Sequence, residues 1–125
     1  MPILAPISAG ELVDKITILE VKAERIAPEK RLNVLRELTL LREIGARELP
    51  PGLDALTAEL RAVNAALWDV EDGKRDHERR GDFGPSFIAL ARRVYRDNDR
   101  RAALKRAIND AVGSDIVEEK SYAAY

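Results

Sequence analysis

A stripe of apolar residues at alternating spacings of three and four runs along the middle of the chain. Its members are Leu53, Leu56, Leu60, Val63, Leu67 and Val70. This spacing covers one side of an α-helix, and a narrow stripe is typical of a helix that lies nearly parallel or antiparallel to its neighbours. The pattern predicts a helix over about 53–80 and an all-α fold, an antiparallel helical bundle with a coiled-coil-like seam.

Two further helices are predicted before this stripe. Ser8 stands three residues before Glu11, the spacing of a capping box, which predicts a helix over residues 9–26. Pro28 suits a first helical turn, and a second helix is predicted over residues 29–48, antiparallel to the first because their connection is short. The apolar side of this second helix is predicted to hold Leu32, Leu35, Leu38, Leu41 and Ile44.

The two ends of the chain are predicted to be non-helical. Two prolines near the start favour an extended segment over residues 1–8. Gly113 is predicted to end the last regular helix, which leaves residues 114–125 as a C-terminal tail. This tail either stays flexible or docks on the bundle through its tyrosines. Residues 1–125 as a whole are predicted to form a single helical domain.

The helix that begins at Pro85 has an apolar pattern that changes direction halfway. Its earlier and later apolar residues lie on sides of the helix that differ by roughly 80°. The interpretation that we favour is an interruption or kink at residues 97–99, since Asp-Asn-Asp prefers helix caps to helix interiors. The other is an uninterrupted helix that turns a polar stripe of Asn98, Arg101 and Lys105 towards an inner cleft. The first interpretation gives the bundle five helices, and the second gives it four.

Composition excludes several classes of protein. The chain of 125 residues has no cysteine, so it has no disulfide and no cysteine-based metal site. Residues 1–10 lack the basic region and long apolar run of a signal peptide, and no stretch approaches roughly 20 apolar residues, so we expect a cytoplasmic protein without a membrane partner. The charge is uneven, because residues 1–72 carry a net charge of −4 and residues 73–125 carry one of +3.

The basic excess is concentrated on the fourth helix, within residues 92–106. Seven arginine and lysine residues and two aspartates give this stretch a net charge of +5. Arginine matches the shape of phosphate and carboxylate groups, so the stretch is a candidate site for a small anionic ligand. The alternative, which we favour, is a solvated side of the helix that pairs with the acidic first half of the chain. The predicted ligand-binding residues are Trp68, Tyr95, Arg96, Asn98, Arg100, Arg101 and Lys105.

The sequence gives little indication of other chemistry. Trp68 lies beside the apolar stripe and is favoured as a packing residue. His77 is the only histidine and, standing among charged residues, is predicted to lie at the surface. Without a second histidine or converging carboxylates, we predict no metal ion and no cofactor, and no catalytic residue is identified. Aromatic residues, at 5%, are too scarce for a nucleic-acid-binding surface.

Several short motifs are similar to those of a family of small bacterial proteins. They are SAGELVDKITILE (8–20), ALWDVED (66–72), DFGPSF (82–87), YRDNDRR (95–101) and EEKSY (118–122). Through them, nearly the whole chain resembles an uncharacterised family of small all-helical proteins, a domain of unknown function. The resemblance implies no reaction, ligand or catalytic residue. It implies only an association with genes for sugar transfer and surface polysaccharides.

Two functions are expected from these observations. The first is a non-enzymatic helical scaffold or accessory protein, a homodimer that acts through a protein partner, because apolar seams are present and no nucleophile is evident. The second is a protein that binds, or is an enzyme acting on, a phosphorylated or nucleotide-linked small anion through residues 92–106. The sequence does not decide whether the protein is an enzyme.

Overall fold

The computed structural model describes residues 1–125 and contains four α-helices and no strands. The predicted all-α class is confirmed, and the first three helices begin and end within one residue of the predicted positions. None of the helices combines the length and the apolar character that crossing a membrane requires. The helices are α1 (Ala9–Arg25), α2 (Pro28–Glu48), α3 (Asp54–Arg80) and α4 (Pro85–Val112).

The local sequence accounts for where the helices begin and end. The Ser8 side chain accepts a hydrogen bond from the Glu11 backbone N–H at 3.1 Å, as the capping-box spacing predicts. Pro28 occupies the first turn of α2, where its missing N–H costs nothing. Gly81 ends α3 with a φ of +64°, which glycine adopts without strain, and its N–H donates to the Glu78 carbonyl oxygen. Each of these boundaries is set by residues within one helical turn.

Helix α1 lies at the centre of the fold. It contacts each of the other three helices, α3 and α4 also pack on each other, and α2 contacts α1 alone. The molecule is therefore a three-helix bundle of α1, α3 and α4, with α2 attached to the outside of α1. The apolar cluster of the bundle holds Val13, Leu53, Leu60, Val63, Leu104 and Ile108, and the cluster between α1 and α2 holds Leu19, Ala23, Val34 and Leu38.

The prediction for the apolar side of α2 is only partly correct. Val34 and Leu38 are buried against α1, but Leu32 is 58% exposed and Leu35 is 38% exposed. A step of three residues advances about 300° around a helix, so a run of such steps drifts by about 60° each time. A helix that packs against one neighbour buries one narrow side. Leu32 and Leu35 lie away from this side and are therefore exposed to solvent.

Helix α4 is uninterrupted over 28 residues, so the favoured prediction of a break at residues 97–99 is wrong. The polar side chains that would be misplaced in an apolar core meet polar side chains of the neighbouring helices, as Arg101 does with Asp14. This pairing removes the physical reason for a break. The bundle consequently has four helices and not five.

The end of α3 also differs from the prediction, at His77. This side chain is buried and not at the surface. Its ring centroid lies 6.0 Å from that of Phe87, and its Nδ1 lies 3.1 Å from the Asp82 carbonyl oxygen. The loop between α3 and α4 and the first turn of α4 cover the ring, which the charged neighbours of His77 in the sequence do not reveal.

Candidate functional site

A carboxylate is buried where α1, α3 and α4 meet. Asp14 is 1% exposed, and the Arg101 guanidinium holds both of its oxygens, with Nε 2.9 Å from Oδ1 and Nη2 2.6 Å from Oδ2. Asn64 Nδ2 donates to the same Oδ1 at 3.0 Å and to Thr17 Oγ1 at 2.9 Å. The Thr17 hydroxyl donates to the Asp14 carbonyl oxygen at 2.9 Å. Each buried polar group of this network has a partner, which limits the cost of burying it.

The network keeps Asp14 ionised. Burial raises the pKa of Asp14, but the hydrogen bonds from Arg101 and Asn64 and the nearby positive charge lower it more, so it lies below the ordinary value of 3.8. The hydrogen bond to Asp14 likewise raises the pKa of Arg101, although burial opposes this. The two side chains therefore form an ion pair throughout the neutral pH range.

One turn further along α4, Lys105 joins two other parts of the chain. Its side chain is 8% exposed, and Nζ lies 2.7 Å from Glu11 Oε2 on α1 and 2.8 Å from Glu118 Oε2 in the C-terminal tail. Burial lowers the pKa of Lys105, but the hydrogen bonds to the two carboxylates raise it more. Lys105 is therefore a buried ammonium held by one carboxylate from a helix and one from the tail.

The start of α1 lies directly against the backbone of α4. Gly10 N donates to Asn109 Oδ1 at 2.7 Å, which provides one of the free N–H groups at the start of α1 with an acceptor. A Cβ atom at Gly10 would lie 2.4 Å from the Lys105 carbonyl oxygen. Glycine is therefore required at this position for the two helices to approach, and this approach brings Asp14 within reach of Arg101.

The C-terminal tail, residues 114–125, runs back along α4 without regular secondary structure. Lys120 Nζ lies 2.6 Å from Asp99 Oδ1, and the Tyr125 hydroxyl donates to Asp99 Oδ2 at 2.6 Å. The Tyr125 ring packs edge-on against the Tyr95 ring, with centroids 4.9 Å apart. Of the two alternatives for the tail, the structure has the docked one.

An open cleft of about 530 Å³ lies between the tail and α4. Its inner wall is the polar side of α4 and its outer wall is the tail, so the polar stripe faces a cleft, as the second interpretation of α4 predicts. The cleft is lined by Asn98, Arg101, Ala102, Lys105, Glu118, Glu119, Lys120, Ser121 and Tyr122. A more apolar cleft of about 840 Å³ adjoins it at the end of the tail.

The structure brings together only some of the predicted ligand-binding residues. Arg96 and Arg100 are exposed and form no ion pair within the chain, and Trp68 is half-buried on α3. Arg101 and Lys105 pair with carboxylates from the acidic first half of the chain, as the favoured structural interpretation predicts, but Lys105 is buried and not solvated. The predicted residues that line the two clefts are Tyr95, Asn98, Arg101 and Lys105.

The polar partners on α1 and α3 are absent from the sequence predictions. A signal for them was present in α1, because a second series of small and apolar residues with spacings of three and four marks another buried side. Asp14 lies beside this series, where a carboxylate needs a buried cation. The series consists of Gly10, Val13, Thr17 and Val21. No comparable signal connects Glu118 with Lys105, since the path of a tail is not periodic.

Comparisons with known proteins bear on the family and not on a reaction. No curated protein and no solved structure matches the chain. A family described as a family of unknown function, DUF6165, matches residues 3–125. The expected membership of an uncharacterised family is therefore confirmed, and the chain belongs to DUF6165.

Proposed function

We propose that this protein is a non-enzymatic helical scaffold that self-associates through α2. The observation that carries the proposal is the position of α2, which contacts α1 and no other helix while bearing leucines on the side turned away from α1. We call this the outward side of α2 and define it by Leu32, Leu35, Arg36, Thr39 and Glu43, which lie within about 100° of arc around the helix.

The apolar residues of the outward side favour a contact with another protein surface. Leu32 and Leu35 are adjacent on the helix, one turn apart, and both are exposed. Thr39 continues the same side one turn later. Contiguous exposed leucines on a helix that already packs along its other side are typical of an interface.

The charged residues of α2 support the same conclusion. On the flank that faces α1, Arg42 Nη2 bonds to Glu20 Oε2 at 2.8 Å. Most of the other charged side chains of the helix have no ion-pair partner within the chain; these are Glu29, Lys30, Arg31, Arg36, Glu37 and Glu43. Charges of both signs are mixed along the helix, three of each among the unpaired ones, so it suits a partner of similar, nearly neutral character.

A second copy of the chain provides such a partner. Glu29 and Arg47 are 18 residues apart, which is five full turns, so they lie on the same flank of α2. Both are nine residues from Leu38. If two α2 helices pair antiparallel about a two-fold axis at the level of Leu38, Glu29 of each copy faces Arg47 of the other, and the contact is self-complementary.

The proposal predicts that the protein is a dimer and that one side of α2 is responsible. Sedimentation equilibrium over a range of about 1 µM to about 1 mM covers the affinities that a single helix–helix contact provides. We expect Leu35→Glu to shift the equilibrium to monomer, since it buries two carboxylates per dimer, one from each chain, in the apolar part of the contact. The matched control is Leu40→Glu, because Leu40 is also exposed, at 55% against 38% for Leu35, but lies on a different side of α2.

Three results would contradict the proposal. One is a wild-type protein that stays monomeric over the whole concentration range. Another is a dimer that Leu35→Glu does not weaken. The third is a dimer that Leu40→Glu weakens more than Leu35→Glu, because the contact would then lie on a different side of α2.

A further inference from the structure

We propose that the cleft between α4 and the C-terminal tail is a binding site for a small oxyanion, a phosphate or carboxylate group that takes the place of the Glu118 carboxylate on Lys105. This site is independent of the outward side of α2 and of self-association. It lies on α4, which α2 does not contact.

Lys105 already holds an oxyanion in a way that permits exchange. Its ammonium is buried and keeps one carboxylate, that of Glu11, which belongs to α1. The second carboxylate, that of Glu118, belongs to a tail without regular secondary structure and has a side chain that is 53% exposed. When Glu118 leaves, Lys105 retains Glu11 and the core stays paired, so the exchange does not strand a buried charge.

Arg101 provides a second, oriented donor beside Lys105. Its Nε and Nη2 are bound to Asp14, which fixes the plane of the guanidinium, while Nη1 makes no hydrogen bond within the chain. Arg101 also lines the cleft. Because the buried carboxylate already fixes the guanidinium, Arg101 loses little side-chain entropy when its free N–H groups bind a phosphate or carboxylate oxygen.

Other donors in the cleft are also unused. The Asn98 amide and the Ser121 hydroxyl line the cleft, one on each wall, and neither makes a side-chain hydrogen bond within the chain. The volume of about 530 Å³ lies in the range of small-molecule sites. Unused donors therefore line the same cleft as Glu118.

The charge of the surroundings limits the ligand to a small anion. Glu11, Glu118 and Glu119 stand close to the cations of the cleft. A polyanion such as a nucleic acid would bring many charges near these carboxylates, whereas a single oxyanion group replaces one of them. We therefore expect one phosphate or carboxylate group at Lys105 and Arg101.

The test is a titration of the full chain with inorganic phosphate and, separately, with acetate, at constant ionic strength, followed by the amide resonances in NMR spectra. We expect saturable shifts at residues 98–105 and 118–122. Whichever of phosphate and acetate has the lower dissociation constant is the preferred oxyanion. Glu118→Gln removes the internal competitor and should tighten binding about fivefold, because an ion pair with a half-exposed carboxylate changes an equilibrium by a few-fold.

Two further variants place the site. Asn98→Ala should weaken binding, whereas Arg100→Gln should leave it unchanged, since Arg100 is an exposed neighbour of Arg101 outside the cleft. Three results would overturn the proposal. They are an absence of saturable shifts in both the wild type and Glu118→Gln, equal affinities of these two proteins, and a loss of binding in Arg100→Gln but not in Asn98→Ala. Leu35→Glu, which tests self-association, should bind the anion as the wild type does.

Discussion

Two regions depart from ordinary helix packing in opposite ways. One is the contact between α1 and α4 around Asp14 and Arg101, which we call the joint, and the other is the outward side of α2. At the joint, the charged residues Asp14 and Arg101 lie in or beside the core. On the outward side, Leu32 and Leu35 lie in solvent. The charges of the joint are paired within the chain, whereas those of the outward side are not. The joint has its partners within a single chain, whereas the outward side of α2, in our proposal, has its partner in a second chain.

This difference separates residues that hold the fold together from residues that act beyond it. Substitutions at the joint should change the free energy of unfolding. Substitutions on the outward side should change association and leave the fold of the single chain intact. Measurements of unfolding and of association therefore test the roles of the joint and of the outward side independently.

The largest effect is expected from Arg101→Met. Removing the guanidinium leaves the buried Asp14 carboxylate without its cation, which should lower the free energy of unfolding by about 3 kcal/mol. The control is Arg100→Met, the exposed neighbour without an ion pair, which should cost less than about 0.5 kcal/mol. Urea denaturation measures both. Equal effects of the two substitutions would mean that the joint does not hold the fold together.

The wild type and Arg101→Met should also differ in the pH dependence of their stability, with a definite sign. The pKa of Asp14 lies below 3.8 in the folded wild type, so its contribution to stability is present above pH 3.8 and is lost as the pH falls through the lowered pKa. In Arg101→Met, burial without the cation raises the pKa of Asp14, and acid relieves the penalty. The difference in stability between the two proteins should therefore be widest near neutral pH and narrow below pH 3.8. A difference that widens in acid would contradict this account.

A smaller loss of stability is expected from Gly10→Ala. The new methyl group would lie 2.4 Å from the Lys105 carbonyl oxygen, so α1 and α4 have to separate, at a cost of about 2 kcal/mol. Gly73→Ala is the control, because its methyl group would meet only the movable end of the Leu90 side chain, at 3.0 Å. Its cost should be offset by the higher helix propensity of alanine. Thermal unfolding compares the two, and an equal loss would contradict a close contact at Gly10.

Charge reversal on α2 should change association and not unfolding. Glu29→Arg places Arg against Arg47 of the partner copy, and Arg47→Glu places Glu against Glu29; each should weaken the dimer about fivefold to tenfold. The double variant restores opposite charges and should restore most of the affinity. Glu59→Arg, an exposed position on α3, is the control for the change in net charge. Additive losses in the double variant would rule out this pairing.

The smallest effect is expected from Tyr125→Phe, which removes the hydrogen bond to Asp99. The midpoint of thermal unfolding should not change, because this contact is exposed and holds only the end of the tail. The backbone of the last residues should become more mobile in NMR relaxation. Tyr122→Phe is the matched control, since the Tyr122 hydroxyl makes no hydrogen bond within the chain. Equal changes in mobility would show that Asp99 does not anchor the tail.

The sequence predicts those parts of the fold that local chemistry determines. Ser8 and Glu11 mark the start of α1, Pro28 that of α2, and Gly81 the end of α3, and each acts within one turn. The predicted interruption of α4 is wrong because both aspartates of the Asp-Asn-Asp segment have partners, Arg93 for Asp97 and Lys120 and Tyr125 for Asp99. The partners of Asp99 come from the C-terminal tail, which the sequence of α4 does not reveal.

The candidate site was predictable only in part for the same reason. The arginine-rich stretch identified Arg101 and Lys105, but not that carboxylates from α1 and the tail neutralise them. Likewise, the spacing of the α2 leucines did not show which of them would be exposed. That depended on α2 having a single neighbour, a property of the tertiary fold.

Disulfide formation by Thr39→Cys tests the antiparallel pairing of α2 most directly, because the chain has no other cysteine. Thr39 is exposed and lies one residue from the proposed axis at Leu38, so two copies should form a disulfide-linked dimer under mild oxidation. Ala46→Cys should not, since its two copies lie about 24 Å apart along the helices in that arrangement. Crosslinking of Thr39→Cys alone is the predicted result. Equal crosslinking of both variants, or of neither, would contradict it.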